Sequence, residues 1–396
     1  MFIERRLTAK LTQLASQLPA VFLTGPRQSG KSTLLHRAFP DHAYANLEEP
    51  DLRQFAAEDP RGFLARLGTP AIIDEAQRVP DLFSYLQIAI DQKDRPGSYL
   101  LSGSQNFLLM RSISQSLAGR VGLLTLLPLS LPELFQSQLV PDTADSWMIQ
   151  GGYPRLMAGG IDPADYFPSY VATYLERDIR AETGVRDLTR FTTFLRMVAG
   201  RIGSPINLAD VGRQVSADAR TVAAWLAILE QSSVVFRLPS WHANWDKRLV
   251  KTAKLYFSDT GLVCSLLGLD SVGQLQASDL RGRIFENAIV ADIAKTFFNQ
   301  GRTPPLSFVT SLNPGQTEID LVIESGRDLH LIEVKAAQTA NSRHVQAVAG
   351  FAPPGYTVRS RQVVYDGPDG LTLSGVQFTN WRALAQQSVP VERGAG

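Results

Sequence analysis

The chain is nearly devoid of cysteine: Cys264 is the single one in 396 residues. An internal disulfide is therefore excluded. The apolar setting of that thiol, among Leu262, Val263, Leu266 and Leu267, predicts a small core residue in a protein suited to a reducing cytoplasm. An excess of charge is missing as well. Thirty-nine Lys and Arg against 38 Asp and Glu leave a net charge of +1. No global field then draws the chain onto DNA or an anionic membrane, and any nucleic-acid surface has to be local. Long apolar runs are also lacking. The richest, Val121 to Phe135, is interrupted by Pro128 and Pro132 and is too short to span a bilayer. Met1 to Leu18 carries Arg5, Arg6 and Lys10 and spaces its apolar residues as an amphipathic helix, without the continuous stretch of a signal peptide. Repeats and low-complexity segments are absent. What remains, 44% hydrophobic and 19% charged residues, is the composition of a globular chain, and its length predicts two to four domains.

The most informative stretch present is Gly25-Pro26-Arg27-Gln28-Ser29-Gly30-Lys31-Ser32, between the apolar run Ala20–Leu23 and a predicted helix from Lys31 to Ala38. This is the phosphate-loop pattern in its strand–loop–helix context. Two glycines let the loop bend so that backbone N–H groups face a polyphosphate, and the helix adds its free N–H groups and dipole. Lys31 is the cation for the outer phosphates, Ser32 the hydroxyl ligand for Mg2+, and Thr33 completes the ATP-binding set of residues 25–33. Downstream, Pro70 introduces Ala71-Ile72-Ile73-Asp74-Glu75, a buried-strand run ending in two carboxylates. Asp74 suits water-mediated magnesium holding, and Glu75 suits orienting or deprotonating an attacking water. Together these elements imply a protein that binds and hydrolyses ATP with Mg2+.

Short apolar runs at Ala20–Leu23, Ala43–Leu47, Ala71–Ile73, Tyr99–Leu101 and Val121–Leu127 alternate with helical stretches, predicting a mostly parallel sheet covered on both faces. Residues 1–135 form this core. From 136 to 200 the pattern is helical, with helices expected over Tyr166–Ile179 and Leu188–Ala199. In residues 201–275, Asn207–Val211, a turn near Ser216, a helix Ala219–Leu229 and strand-like Val234–Phe236 and Leu255–Phe257 read as a winged helix-turn-helix. Residues 276–388 form another α/β unit, with a helix Ile284–Phe298 and runs Glu318–Ile323, His330–Val334 and Arg361–Tyr365. The tail from 389 to 396 reads as disordered.

That last unit holds a second set of carboxylates. Glu333 and Lys335 share one strand face, Asp320 lies on the expected hairpin neighbour, and Glu286 falls on the apolar side of its helix. Two carboxylates and a lysine on one side of a sheet suit metal-assisted phosphodiester cleavage. Glu333 and Lys335 alone better suit a solvated edge strand, and Asp320 with the inward Glu286 brings the metal-site reading level with it. A buried Glu286 requires a metal or a lysine beside it.

Across nearly its whole length the chain resembles the bacterial and archaeal ATPases that join an AAA+ module to a winged helix and a C-terminal domain of unknown function similar to PD-(D/E)xK nucleases. The residues that carry the resemblance are 25–32, Ile-Ile-Asp-Glu-Ala-Gln (72–77), Leu-Ser-Gly-Ser (101–104), Leu-Ala-Gly-Arg (117–120), Gly-Gly-Tyr-Pro (151–154), Lys-Leu-Tyr-Phe-Ser-Asp-Thr-Gly-Leu (254–262), Phe285-Glu286 and Glu-Val-Lys (333–335). The implied fold is α/β: a P-loop AAA+ parallel-sheet core, a helical lid, a winged helix-turn-helix and a restriction-endonuclease-like C-terminal α/β domain. The resemblance further implies that Ser104, with Gln105 as its substitute, senses the γ-phosphate. Arg120 takes the place of an arginine finger acting in trans, which makes a homo-oligomer part of the mechanism, and Gly152-Tyr153-Pro154 takes that of a lid motif against adenine. It departs from the nuclease pattern at Ile319-Asp320, where Pro-Asp is usual, and the predicted recognition helix offers Arg220 as its main cation. Arg237, Lys247, Arg248, Lys251 and Lys254, interleaved with Trp241, Trp245 and Tyr256, suit phosphate contact and base stacking, or else a solvated wing over core tryptophans. The expectation is a Mg2+-dependent ATPase acting on branched or broken DNA. The alternative is an ATP-gated regulatory or defence switch whose C-terminal fold binds a partner without cleaving. A small-molecule kinase fits poorly with Glu75 and the additional domains.

Overall fold

A computed structural model describes residues 2–93, 95–103, 117–175, 188–243, 253–310 and 318–386. Its first five strands are β1 (Ala20–Thr24), β2 (Ala43–Asn46), β3 (Ala71–Asp74), β4 (Tyr99–Ser102) and β5 (Val121–Thr125). They coincide with the five apolar runs and pair in parallel, in the order β2-β3-β4-β1-β5. Both faces are covered. Ala20 and Phe22 join Ile73, Leu101 and Phe83 in one apolar cluster, whereas Val21 and Leu23 join Leu35, Ile72 and Leu100 in another. Period-two geometry divides each strand between the two layers, which is why the runs are continuously apolar. Parallel register brings the carboxyl ends of β1, β3 and β4 to one edge, where Gly25, Glu75 and Gly103 leave the sheet.

Among the described residues, 131–277 are mainly helical, with one pair of strands. The helix expected over Tyr166–Ile179 is realised as Pro163–Tyr170 followed by a π-helical turn, Val171–Leu175, and its remainder lies outside the described residues. Pro168 removes a backbone donor within that helix, so the ladder shifts. Helices Leu208–Gln214 and Ala219–Gln231 are joined by a turn with Ser216 at φ +53°, and Asp218 caps the second through the Thr221 N–H. The apolar stripe Val222, Trp225, Leu226 and Leu229 is buried as its spacing requires. An antiparallel pair follows, β6 (Val235–Leu238) with β7 (Lys254–Phe257).

The third part pairs the long helix Arg281–Phe298 with a six-stranded sheet ordered β12-β13-β11-β10-β9-β8. Its strands are β8 (Leu306–Val309), β9 (Ile319–Ser325), β10 (Asp328–Lys335), β11 (Thr357–Tyr365), β12 (Thr372–Leu373) and β13 (Val376–Asn380). The β9–β10 hairpin is antiparallel with Ile332 opposite Leu321, a register that sets Glu333 beside Asp320. One apolar cluster runs from Leu129 through the helical region to Ala385, so the segments expected as lid, winged helix and C-terminal unit share a core. No helix among the described residues is long and apolar enough to cross a membrane.

Candidate functional site

The loop between β1 and the helix Lys31–Ala38 borders a cavity of about 500 Å3. Gly25 has φ +140°, and a Cβ there would stand 2.1 Å from the Leu126 carbonyl, so only glycine lets the loop pass β5. Gln28 and Gly30 also hold positive φ, and Gly30 precedes the helix directly. Lys31 is buried, and its Nζ donates to the carbonyls of Gly25 and Pro26 at 3.0 Å each. Lys31, Ser32, Thr33, Arg27, Gln28 and Glu75 all line the cavity, and Pro154 and Arg155 close it from the helix Pro154–Gly159. Ser29 is buried and gives its carbonyl to Arg5.

Asp74 and Glu75 end β3 side by side. Both oxygens of the buried Asp74 are engaged: Ser102 Oγ donates to Oδ1 and Tyr44 OH to Oδ2, the latter at 3.0 Å. Burial, with Asp74 alongside, raises the Tyr44 phenol above its usual range, so it stays a donor. Glu75 turns into the left-handed region at φ +53° and is held by Gln77 Nε2 at 2.5 Å. A non-glycine residue in that region is strained, and such strain persists where the surroundings fix it. Ser32 and Asp74 are hard oxygen donors, and an oriented carboxylate behind a lysine-lined cavity fits Mg2+ accompanying a polyphosphate. Ser104 and Gln105 lie outside the described residues. Ser102, two residues earlier at the end of β4, is the hydroxyl that reaches Asp74.

Arg120 stands at the entry end of β5, next to Ala20, opposite the edge that carries the loop. A five-residue strand places it roughly 16 Å from that edge. It forms a two-pronged ion pair with Asp91 at 2.5 and 3.1 Å, partly exposed.

Sequence reasoning missed what braces the loop. Arg5 is buried, with Nη1 on the Ser29 carbonyl at 2.7 Å, Nη2 on the Leu127 carbonyl at 2.6 Å and Nε on Glu133 Oε1 at 3.0 Å. Burial opposes ionisation of Glu133, but Arg5 and the N–H groups of Ser130 and Arg6 hold its carboxyl below the usual range. An acid inside the Ser130–Glu133 capping box gave a signal of a helix start, not of a buried ion pair.

The four residues singled out in the C-terminal unit come together, with two more from β7. Lys335 Nζ lies 2.5 Å from Glu333 and 3.6 Å from Asp320, whose Oδ2 also accepts the Val334 N–H. Glu286 accepts from Tyr256 OH at 2.5 Å and pairs with Lys254 Nζ at 3.3 Å, and Lys254 reaches Glu318 at 2.6 Å. The lysine required beside Glu286 is thus Lys254. Lys254 as a DNA contact is corrected: it is 3% exposed, and Glu286 and Glu318 hold its ammonium above the usual range against the effect of burial. The stacking role of Trp241 and Tyr256 is corrected likewise, since both are buried, Trp241 donating to Glu324 at 3.0 Å. Arg237 is tied to Glu230, and Arg220 is exposed. Lys247, Arg248, Lys251 and Trp245 lie outside the described residues. Among the described residues no three His, Cys, Asp or Glu side chains are arranged to hold a metal ion. Lys335 pairs with Glu333 and Asp320, and Lys254 with Glu286 and Glu318, so each carboxylate of the set has a lysine partner.

Residues 17–135 match the AAA domain family, 142–273 a domain of unknown function (DUF8612) and 281–384 another (DUF4143). Two uncharacterised proteins, Rv2008c of Mycobacterium tuberculosis and Mb2031c of Mycobacterium bovis, are each 32% identical over 349 residues, 86% of this chain and 75% of theirs. The chain belongs to the same family as these mycobacterial proteins. It is an AAA ATPase by its first match and by the phosphate loop that the match contains. Among solved structures, the Walker-type ATPase of Pyrococcus abyssi aligns at 17% identity with a TM-score of 0.44, over 67% of this chain and 96% of that one.

Two measurements follow from this geometry. Arg5→Ala strands a buried Glu133 and should lower unfolding stability by about 3–5 kcal/mol in chemical denaturation; a loss under 1 kcal/mol would contradict the brace. Glu333 is raised from 4.5 to about 7 by burial and by Asp320, against the pull of Lys335. The folded chain therefore keeps a proton that the unfolded chain releases. That contribution is complete below about pH 4.5 and lost as pH rises through 7. Glu333→Gln should flatten the stability profile across that window, and an unchanged slope would show that Glu333 does not titrate there.

Proposed function

We propose that this ATPase is a nucleotide-gated switch, in which a Mg2+-ATP site in residues 1–135 drives the helical segment 136–200 and, through 201–275, the C-terminal unit 276–388. The observation that carries the reading is the cavity shared by the phosphate loop, Glu75 and the helix Pro154–Gly159, which joins the core to the segment beyond it. In this reading residues 25–33 cradle the polyphosphate and Lys31 leaves its loop carbonyls for the outer phosphates. Ser32 and Asp74 hold Mg2+, which neutralises phosphate charge. Glu75 takes a proton from water as the water oxygen bonds to the γ-phosphorus and the bond to ADP breaks. Ser104 stays a proposed sensor, and Ser102 positions Asp74. Arg120 faces away from its own loop, so any role at a phosphate is in a neighbouring copy, as a homo-oligomer would allow, with Asp91 releasing it. A compartment that keeps Cys264 reduced, the cytoplasm, suits the chain.

The lysine-paired carboxylate set favours a C-terminal unit that binds a partner without cutting. DNA processing is the second reading. It is favoured by exposed Arg220 on the first turn of Ala219–Gln231, where a winged helix would present its recognition helix.

Glu75→Gln should retain Mg2+-ATP binding and lose turnover by 100-fold or more, on the scale of general-base catalysis. Phosphate release at the unaltered rate would remove Glu75 from the chemistry. Stimulation of the ATPase by duplex, forked or junction DNA would favour the second reading, and its absence across the panel the switch.

A further inference from the structure

A second cavity, of about 370 Å3, lies between the helices Pro60–Leu67 and Leu82–Lys93. Tyr99, the first residue of β4, forms its floor, so it sits at the amino ends of the strands, opposite the edge where the phosphate loop leaves the sheet. The two cavities share no lining residue. A volume of this size suits a small ligand.

Tyr99 is 4% exposed, yet its hydroxyl has no hydrogen bond among the described residues. A hydroxyl buried without a partner costs free energy, and Ser102 on the same strand avoids that cost by donating to Asp74. Packing explains the Tyr99 ring, which joins Ala20, Leu86 and Ile90 in one apolar cluster, but a phenylalanine would pack the same way. The hydroxyl is what packing leaves over. Burial raises the phenol above its usual range, so it is a donor at neutral pH.

At the rim, Arg61 is exposed, with its guanidinium 5.9 Å from the centre of the half-buried Tyr85 ring. It forms no ion pair among the described residues, and no carboxylate lines the cavity. Between rim and floor the walls are Leu64, Ala65, Ile88 and Ala89, and Ile88 keeps 45% of its surface exposed. The site therefore asks for negative charge at its mouth, an apolar body along its walls and a hydrogen-bond acceptor at its base.

We propose that this cavity binds a small organic monoanion, its carboxylate on Arg61, its apolar body between the two helices and a neutral oxygen accepting from the Tyr99 hydroxyl. A guanidinium offers paired donors to a carboxylate, and the Tyr85 ring adds a surface for a flat body. A hydroxyl-bearing aromatic acid meets all three demands. A nucleoside triphosphate does not, because Arg61 is the single cation lining the cavity and would face several negative charges.

The test is equilibrium titration of the full chain with para-hydroxybenzoate, benzoate and para-hydroxybenzamide, for the unaltered protein, Arg61→Ala, Tyr99→Phe and Lys31→Ala. Arg61→Ala should weaken para-hydroxybenzoate about tenfold, the scale of a charge-assisted hydrogen bond, and Tyr99→Phe about fivefold, the scale of a neutral one. Benzoate, which lacks the oxygen for Tyr99, should bind Tyr99→Phe and the unaltered protein equally. The uncharged amide should bind without regard to Arg61. Lys31→Ala and saturating ATP should leave all three unchanged. Because Tyr99→Phe removes a hydroxyl without a partner, its unfolding midpoint should not fall, which separates lost binding from lost fold. No binding of para-hydroxybenzoate at millimolar concentration, equal binding by Arg61→Ala or by Tyr99→Phe, or displacement by ATP would each overturn the proposal.

Discussion

The buried Arg5–Glu133 pair is the contact on which the arrangement depends. One guanidinium holds the phosphate loop at Ser29, the exit of β5 at Leu127 and the helix start at Glu133. Neither charge is tolerable alone in so dry a place, and each is satisfied by the other and by backbone groups. The loop therefore takes its shape from a segment preceding the sheet as well as from its own glycines. Shape matters here because the loop's chemistry is done by backbone N–H groups, which have to point inward before any anion arrives.

Glu133 also faces the rest of the molecule. The turn that contains it is met by the long helix Arg281–Phe298. Asp292 accepts the Leu131 N–H at 2.6 Å, Lys295 reaches the Leu129 carbonyl at 3.2 Å and Asn299 reaches Ser130 at 3.3 Å. Burial raises Asp292 to about 6, against the pull of Lys295. The same helix presents Glu286 to Lys254 and Tyr256, and Asn287 pairs with both backbone groups of Phe257. One rigid element thus spans from the underside of the nucleotide loop to the carboxylate–lysine cluster. Rigid elements of this kind carry coupling when both ends have two arrangements.

How much of this was legible in the sequence differed by the range of the interaction. The parallel sheet and the phosphate loop are local patterns, and residues 20–38 fold as their spacing requires. The Glu333–Asp320 pairing was readable because a hairpin register links residues close in sequence. Lys254 was not: it resembled a surface cation among basic neighbours, and only tertiary packing against Glu286 and Glu318 makes it a core residue. Trp241 was ambiguous for the same reason, since a basic–aromatic stretch and a strand end over a core have one composition. Arg5 left no signal, as its partners are 24 to 128 residues away. Strands β8, β12 and β13 are short, and their hydrophobicity is decided by neighbours more than by alternation.

The most direct measurement is a structure of the full chain with Mg2+ and a non-hydrolysable ATP analogue. The account predicts the triphosphate against residues 25–33, with Lys31 moved from the Gly25 and Pro26 carbonyls to the phosphates and Arg5 still on Ser29 and Glu133. A nucleotide bound elsewhere, or Lys31 unmoved beside an occupied cavity, would contradict it.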